Sequence, residues 1–215
     1  AAQQHDELPH HEVPDEPMPD DGAMTRQPPT MDDDPDLVAY FAFEEMGGVM
    51  ITDRSHGNHM SALLGEVQRL DEGRVVRAIQ FDGASTHIGV PAQPPLDITN
   101  QVTITMWMRA GQVAGQYAYL IDRSDDRGAQ KQFALHLFGA DNDRVRFIVT
   151  RNGILTAVDA DNAIHPGQWH HIGATYDGRA LKLYVDGTLA KSYDAPGVLA
   201  QSDMGVTIGA LKVGG

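Results

Sequence analysis

The sequence predicts an all-β fold, a two-sheet antiparallel sandwich or jelly roll, on three observations. The first is residues 168–187, QWHHIGATYDGRALKLYVDG, where two alternating runs flank one turn. Trp169, His171, Gly173 and Thr175 alternate with His170, Ile172, Ala174 and Tyr176. After the turn, Leu181, Leu183 and Val185 alternate with Lys182, Tyr184 and Asp186. Period-two alternation sends successive side chains to opposite faces of a sheet. The second is turn chemistry. Asp177-Gly178, Asp186-Gly187 and Asn152-Gly153 sit between such runs, and Asn or Asp before Gly suits a tight hairpin. The third is spacing: about a dozen short strand-like runs recur between turn signals, with no convincing helical run among them.

Taken in order, residues 37–43, LVAYFAF, read as a strongly apolar first strand, turned by 44–48. Residues 51–59 are a polar loop rich in turn formers. Short strands follow at 60–67, at 75–81 (closed by Asp82-Gly83) and at 86–90, then a proline-rich link over 91–96. In 101–110, QVTITMWMRA, Val102, Ile104, Met106 and Met108 alternate with Thr103, Thr105, Trp107 and Arg109. Further strands are expected at 117–123, 132–138, 144–151 and 154–158, and after the central meander at 188–193 and 205–209. Trp107 and Trp169 fall mid-strand and read as packing residues. His170 and His171 must point to opposite faces, so one of them lies in or beside the core.

Composition bounds the function. At 215 residues with 41% hydrophobic content, the chain suits one large all-β domain, or one domain plus an appendage. A net charge of −14 argues against nucleic acid or an anionic membrane surface as direct partners. There are no cysteines, which excludes disulfides and thiol chemistry. No apolar run approaches the ~20 residues of a membrane span. The chain begins Ala1-Ala2-Gln3-Gln4, as a mature exported chain does after cleavage at a small-residue site. A periplasmic, cell-surface or secreted location is therefore expected.

The charge is concentrated at one end. Residues 1–36 hold eleven acids, one base (Arg26) and seven of the 12 prolines; the other residues hold nineteen acids and fifteen bases. Such a segment lacks the apolar surface to offset its ordering entropy and is expected to be disordered or extended alone, held in place by a partner chain or by packing on its own domain. Residues 1–36 are thus read as an acidic arm on a sandwich spanning 37–215. Asp15, Glu16, Asp20, Asp21, Asp32, Asp33 and Asp34 are its candidate partner-binding residues. The arm's His5, His10, His11, Met18, Met24 and Met31 are a copper- or nickel-type donor set, though a solvated tail is the plainer reading.

Several stretches together resemble the laminin-G-like jelly-roll domains of the concanavalin A-like lectin and glucanase superfamily. They are LVAYFAFEE at the first strand, the loop from Asp53 to Asn58, AIQFDGASTHIGVP at 78–91, TITMWMRA at 103–110, GQWHHIGATYDGRALKLYVDG at 167–187 and VTIGA at 206–210. The resemblance implies the sandwich fold. It also implies one structural calcium ion, with Asp53 and Asn58 as matching ligands and Asp82 a further candidate; calcium takes six to eight hard oxygens, which Asp- and Asn-rich turns supply. Such domains usually close with one more strand just after the VTIGA-like run. Here the run is followed by Leu211-Lys212-Val213-Gly214-Gly215, so an open sheet edge is expected, paired by another segment or chain.

Catalysis is not expected. Glycoside hydrolases of the superfamily need facing carboxylates, commonly in a Glu-x-Asp-x-x-Glu run, and none is present. Glu44 and Glu45 are adjacent and would point to opposite faces. Asp122, Asp125 and Asp126, with Arg123 and Arg127, read as a solvated turn. No nucleophile elbow stands out. The first expectation is therefore a non-catalytic, exported interaction module: an accessory subunit docked on a larger protein assembly through its arm and open edge. The alternative is a calcium-dependent carbohydrate-binding module, with Tyr117, Tyr119 and Tyr193 near turns as stacking platforms. His56 and His59 read as turn residues.

Overall fold

The computed structural model describes residues 34–94, 96, 98–111, 117–125 and 131–210. Among them are fourteen strands and no helix. They are β1 (Met50–Thr52), β2 (Met60–Leu64), β3 (Gln68–Leu70), β4 (Ala78–Gln80), β5 (His87–Val90), β6 (Val102–Arg109), β7 (Tyr117–Ser124), β8 (Lys131–Phe138), β9 (Arg144–Arg151), β10 (Ile154–Ala160), β11 (Trp169–Tyr176), β12 (Ala180–Val185), β13 (Thr188–Asp194) and β14 (Val206–Ile208). An eight-stranded sheet runs β1-β2-β5-β14-β7-β8-β9-β10, a four-stranded sheet runs β13-β12-β11-β6, and β3 and β4 form a separate ribbon.

The turns behave as their sequences require. Asn152 and Gly153 take φ of 48° and 74°, and Asp186 and Gly187 take 51° and 79°. Two consecutive positive φ values match the right-handed twist of the flanking strands. Arg151 accordingly pairs with Ile154, and Val185 with Thr188. At the third turn, Asp177 accepts the amides of Arg179 and Ala180 at 2.9 and 2.8 Å.

One face of each large sheet forms the core. Ile104 and Met108 of β6, Ile172 and Ala174 of β11, and Leu181 and Leu183 of β12 pack with Phe133, Leu135 and Leu137 of β8 and Val145, Phe147 and Val149 of β9. Tyr176 is also buried there, its hydroxyl donating to the carbonyls of Ala195 and Gly197 at 3.1 and 2.6 Å.

Three expectations are corrected. Residues 37–43 do not form a strand: one bridge joins Phe41 to Asp53. The segment is pinned instead by the Asp53 carboxylate, which accepts the Tyr40 amide at 2.8 Å, while the Tyr40 carbonyl accepts the Arg54 amide. Phe43 then breaks extension with φ 60°. The expected strand at 75–81 shrinks to β4, and Val75 is left 80% exposed in the loop before it. Most consequential, Asp122 and Arg123 are not in a solvated turn. β7 continues through Ser124, and both are buried, at 1% exposure. The Arg123 guanidinium donates to the carbonyls of Leu96, Ser202 and Met204 and to Oε1 of Gln132. Gln132 in turn donates to the carbonyls of Ile98 and Ala200. Charge burial is tolerated because the guanidinium N–H groups find oxygen acceptors in this cage.

β6 pairs with β11 on one side, and among the described residues no strand pairs with its other side.

Arg123→Met retains side-chain bulk but leaves these carbonyls without donors. It should lower unfolding free energy by about 3 kcal/mol in urea titration. An unchanged midpoint would mean that the carbonyls are satisfied without the guanidinium.

Candidate binding site

On β7 to β10, every second residue points away from the core. Tyr117 pairs with Phe138 and Tyr119 with His136; His136 also pairs with Arg146, and Arg146 with Asp159. Their neighbours Leu135, Leu137, Val145, Phe147 and Val158 are core residues. A bulge between Tyr119 and Ile121 inserts one residue, so Asp122 rather than Ile121 joins the outer face. The eight-stranded sheet thus carries, on its outer side, a cluster of rings and paired charges.

His136 is its centre. The rings of Tyr117, Tyr119 and Phe138 lie 5.0, 4.9 and 6.2 Å from its own. It is 2% exposed, and neither ring nitrogen has a hydrogen-bond partner. Burial first, then the nearby Arg146 and Lys131 charges, push its pKa down to about 4. A neutral imidazole keeps one donor and one acceptor, and here both are unspent. A buried polar group without a partner costs about 1–3 kcal/mol, so this imidazole weighs against the stability of the sheet.

Around it the charges are matched. Arg146 donates twice to Asp159, at 2.7 and 2.6 Å, with its guanidinium 4.7 Å from the Phe138 ring. That pairing holds the guanidinium charged and its pKa above the ordinary value. Lys131 donates to Asp122 at 2.9 Å and sits 5.1 Å from the Tyr119 ring; the Ser124 hydroxyl donates to the other Asp122 oxygen. Burial, then the Asp122 charge, raises the Tyr119 pKa, so its hydroxyl stays protonated as a donor. Arg144 lies 3.3 Å from Asp161. Past Lys131 the face runs into a cleft of about 400 Å³, lined among others by Asp125, Thr150, Leu155 and Asp203.

Two of the three tyrosines expected as platforms therefore meet on this face. Tyr193 does not: it is exposed on β13, an edge strand of the other sheet. His136, Phe138, Lys131, Arg146 and Asp122 were not anticipated. The alternation of Phe133, Leu135 and Leu137 in 132–138 would have placed His136 on the outward register; nothing in the sequence shows that β9 brings Arg146 beside it.

The residues expected to bind calcium hold turns. Asp53 is buried with both oxygens engaged: Oδ1 accepts the Tyr40 and Ser55 amides at 2.8 and 2.9 Å, and Oδ2 accepts the His59 amide at 3.0 Å and pairs with its Nδ1 at 2.5 Å. Burial alone would raise its pKa, but these donors bring it down to about 2. His59, expected as a turn residue, is buried by this pairing. Asn58 sits at φ 44°, its amide donating to the Ser55 carbonyl. Asp82 accepts the amides of Ala84, Ser85 and Thr86 and the Ser85 hydroxyl; the hydroxyl contributes most to lowering its pKa. Among the described residues, no three His, Asp or Glu side chains converge as a metal-binding group. Asp15, Glu16, Asp20, Asp21, Asp32 and Asp33 lie outside the described residues. Asp34 is exposed and accepts the Asp36 amide at 2.9 Å.

Trp107 is not a core residue. It points outward on β6, 43% exposed, beside His171 at 5.1 Å and under the Arg74 guanidinium at 4.5 Å. His170 and His171 do take opposite faces. His170 is buried, its Nδ1 2.7 Å from Asp186 while Nε2 accepts the His165 amide at 3.0 Å.

The architecture is that of a jelly-roll β-sandwich with an aromatic, charge-paired outer face. A family profile for laminin G-type domains of the concanavalin A-like lectin/glucanases superfamily matches residues 82–215, and the chain belongs to that family. The chain is also similar to pappalysin-1 of Mus musculus, 31% identical over 128 residues, covering 52% of this chain and 7% of that protein. It therefore spans less than a tenth of that relative. Among solved structures, the binding domain of Paraclostridial mosquitocidal protein 1 superposes with a TM-score of 0.62 at 16% identity, covering 79% of this chain and 42% of that one. Domain 4 of AbnA, a GH43 extracellular arabinanase from Geobacillus stearothermophilus, in complex with arabinotriose, superposes with a TM-score of 0.55 at 20% identity, covering 76% and 78%. At these identities the likeness is one of fold.

His136 makes stability depend on pH in a defined window. Its folded pKa of about 4 lies below the unfolded value of 6.5, so the unfolded chain binds the extra proton. Stability should be level above pH 6.5 and fall by roughly 3 kcal/mol as pH drops toward 4. His136→Phe should flatten that window in a pH series of urea midpoints. Any further loss below pH 3.8, where the Asp53 carboxylate protonates in the unfolded chain, should persist in the variant.

Proposed function

We propose that the chain is a non-catalytic, exported binding module whose ligand is a glycan, held on the outer face of β7 to β10. One observation carries the reading: Tyr117, 42% exposed, and half-buried Tyr119 and Phe138 gather their rings around a buried His136. Aromatic rings stack on the apolar face of a sugar, and tyrosine hydroxyls hydrogen-bond to its oxygens. The arabinotriose complex of the AbnA domain supports a sugar ligand for this fold, and the extracellular character of that enzyme supports export. No helix among the described residues is long and apolar enough to cross a membrane.

The test is a glycan array with the wild type and Tyr119→Ala. The wild type should bind a defined glycan class, and the variant should lose about tenfold or more in affinity. Binding unaltered by Tyr119→Ala would move the site elsewhere. This reading gives calcium no role, because the Asp53 oxygens are already spent on four nitrogen contacts. Melting temperature and glycan affinity should be equal in excess EDTA and in millimolar calcium. A calcium-induced rise in melting temperature would return Asp53, Asn58 and Asp82 to consideration.

A second reading is docking on a larger assembly. The unpaired side of β6, with exposed Trp107 beside it, favours addition of a strand from another segment or chain. The acidic arm would add a second contact, through the carboxylates named above. Removal of residues 1–36 should leave melting of the sandwich unchanged and abolish co-purification with partner proteins from the native source. Equal particle mass with and without the arm would remove the arm from this reading.

A further inference from the structure

Two arginines on the outer side of the four-stranded sheet are placed unlike their counterparts elsewhere. Arg54, Arg77, Arg144 and Arg146 each reach a carboxylate. Arg74 and Arg109 reach none among the described residues. Each lies over a tryptophan instead, Arg74 at 4.5 Å from the Trp107 ring centre and Arg109 at 5.2 Å from that of Trp169. Both arginines are exposed. A guanidinium over a ring spends its flat face there and keeps its in-plane N–H fork. That fork is the part that takes a carboxylate in two parallel hydrogen bonds. Stacking also limits the rotamers of a long side chain, so less freedom is lost when an anion arrives.

Strand pairing fixes the spacing of the two forks. Trp107 and Arg109 lie two apart on β6, opposite His171 and Trp169 of β11, and directly opposed residues share a face. The two tryptophans are therefore diagonal neighbours, about 7–8 Å apart. Alternate residues of an extended chain are about 7 Å apart and also share a face. The His171 ring packs edge-on against Trp107 at 5.1 Å and steadies that end of the pair.

The net charge of −14 does not forbid an acidic partner here. Eleven of the 30 acids lie in residues 1–36, and at physiological salt a charge is screened over about 8 Å. A nucleic acid or a membrane spans many such lengths and meets the field of the whole chain. A short peptide answers to the two forks and to what lies directly beside them.

We infer that the outer face of β6 and β11 is a docking site for an extended acidic segment of a partner protein, with carboxylates at alternate positions received by Arg74 and Arg109. This inference rests on the docking reading and specifies the partner's chemistry.

The experiment titrates the full chain with a blocked octapeptide that alternates glutamate with threonine, followed by calorimetry and by tryptophan fluorescence. Trp107 and Trp169 are the two tryptophans of the chain, so its emission reports on this face. The comparison ligands are the isomer with its glutamates in adjacent pairs, in which no two lie two residues apart, and a sulfated oligosaccharide of equal charge. The alternating peptide should shift the emission and bind about tenfold or more tighter than its isomer. Arg74→Gln/Arg109→Gln, a change at two exposed positions, should weaken it by about tenfold or more. Equal binding of the two isomers, binding that survives in the double variant, tighter binding of the sulfated oligosaccharide, or no binding of either peptide overturns the inference. Each of these results leaves strand pairing at β6 and the glycan reading to their own tests.

Discussion

The buried guanidinium of Arg123 is the constraint on which the arrangement of the binding face depends. It sits at the end of β7 with its N–H groups spent on the carbonyls of Leu96, Ser202 and Met204 and on Gln132. Those acceptors belong to two chain stretches far apart in sequence. One leads into β6, and the other leads into β14, which enters the sheet between β5 and β7. Gln132, which donates to the Ile98 and Ala200 carbonyls, joins the guanidinium in holding both stretches against the end of β7 and β8. So held, residues 201–204 form one wall of the cleft.

The same strand end sets the chemistry of the other side. Arg123 points inward and Asp122 outward, each with its charge answered, one by carbonyls and one by Lys131 and Ser124. The bulge at Tyr119 and Ile121 puts Asp122 on the outer register. A second register shift, between Arg123 and Ser124, sets Lys131 opposite Ser124 and beside Asp122. In a regular strand Ile121 would stand where Asp122 does. The unspent nitrogens of His136 are the exception in an otherwise satisfied neighbourhood.

The opposite sheet shows a different kind of incompleteness. β6 has hydrogen-bond partners along one side, and its outward Trp107 lies at the surface under Arg74. Among the described residues these are the features of a sheet edge rather than of a ligand platform. The glycan reading therefore rests on the eight-stranded sheet and the docking reading on the four-stranded one, so the two do not compete for the same residues.

What the sequence determined by itself is the sandwich and its turns. Alternation in 101–110 and 168–187, with Asn-Gly and Asp-Gly between runs, is a local code, because each pair of residues needs only its own φ values and its own face. It sorted Ile104, Ile172, Leu181 and Leu183 into alternating sets, which the structure buries, and split His170 from His171 correctly. It misjudged residues 37–43, where apolarity marked burial but no ladder partner was present among the described residues, and Trp107, whose outward register was read as packing. It also misread Asp122 and Arg123, since charged residues beside turn formers look solvated unless their distant partners are known. Those partners, Leu96, Lys131, Ser202 and Met204, are brought together only by the fold. The binding face was decided in the same way: Tyr117 and Tyr119 were visible as aromatic residues near a turn, but their meeting with His136, Phe138 and Arg146 depends on pairing across three strands. Contacts between strands are not written in the spacing of any one of them.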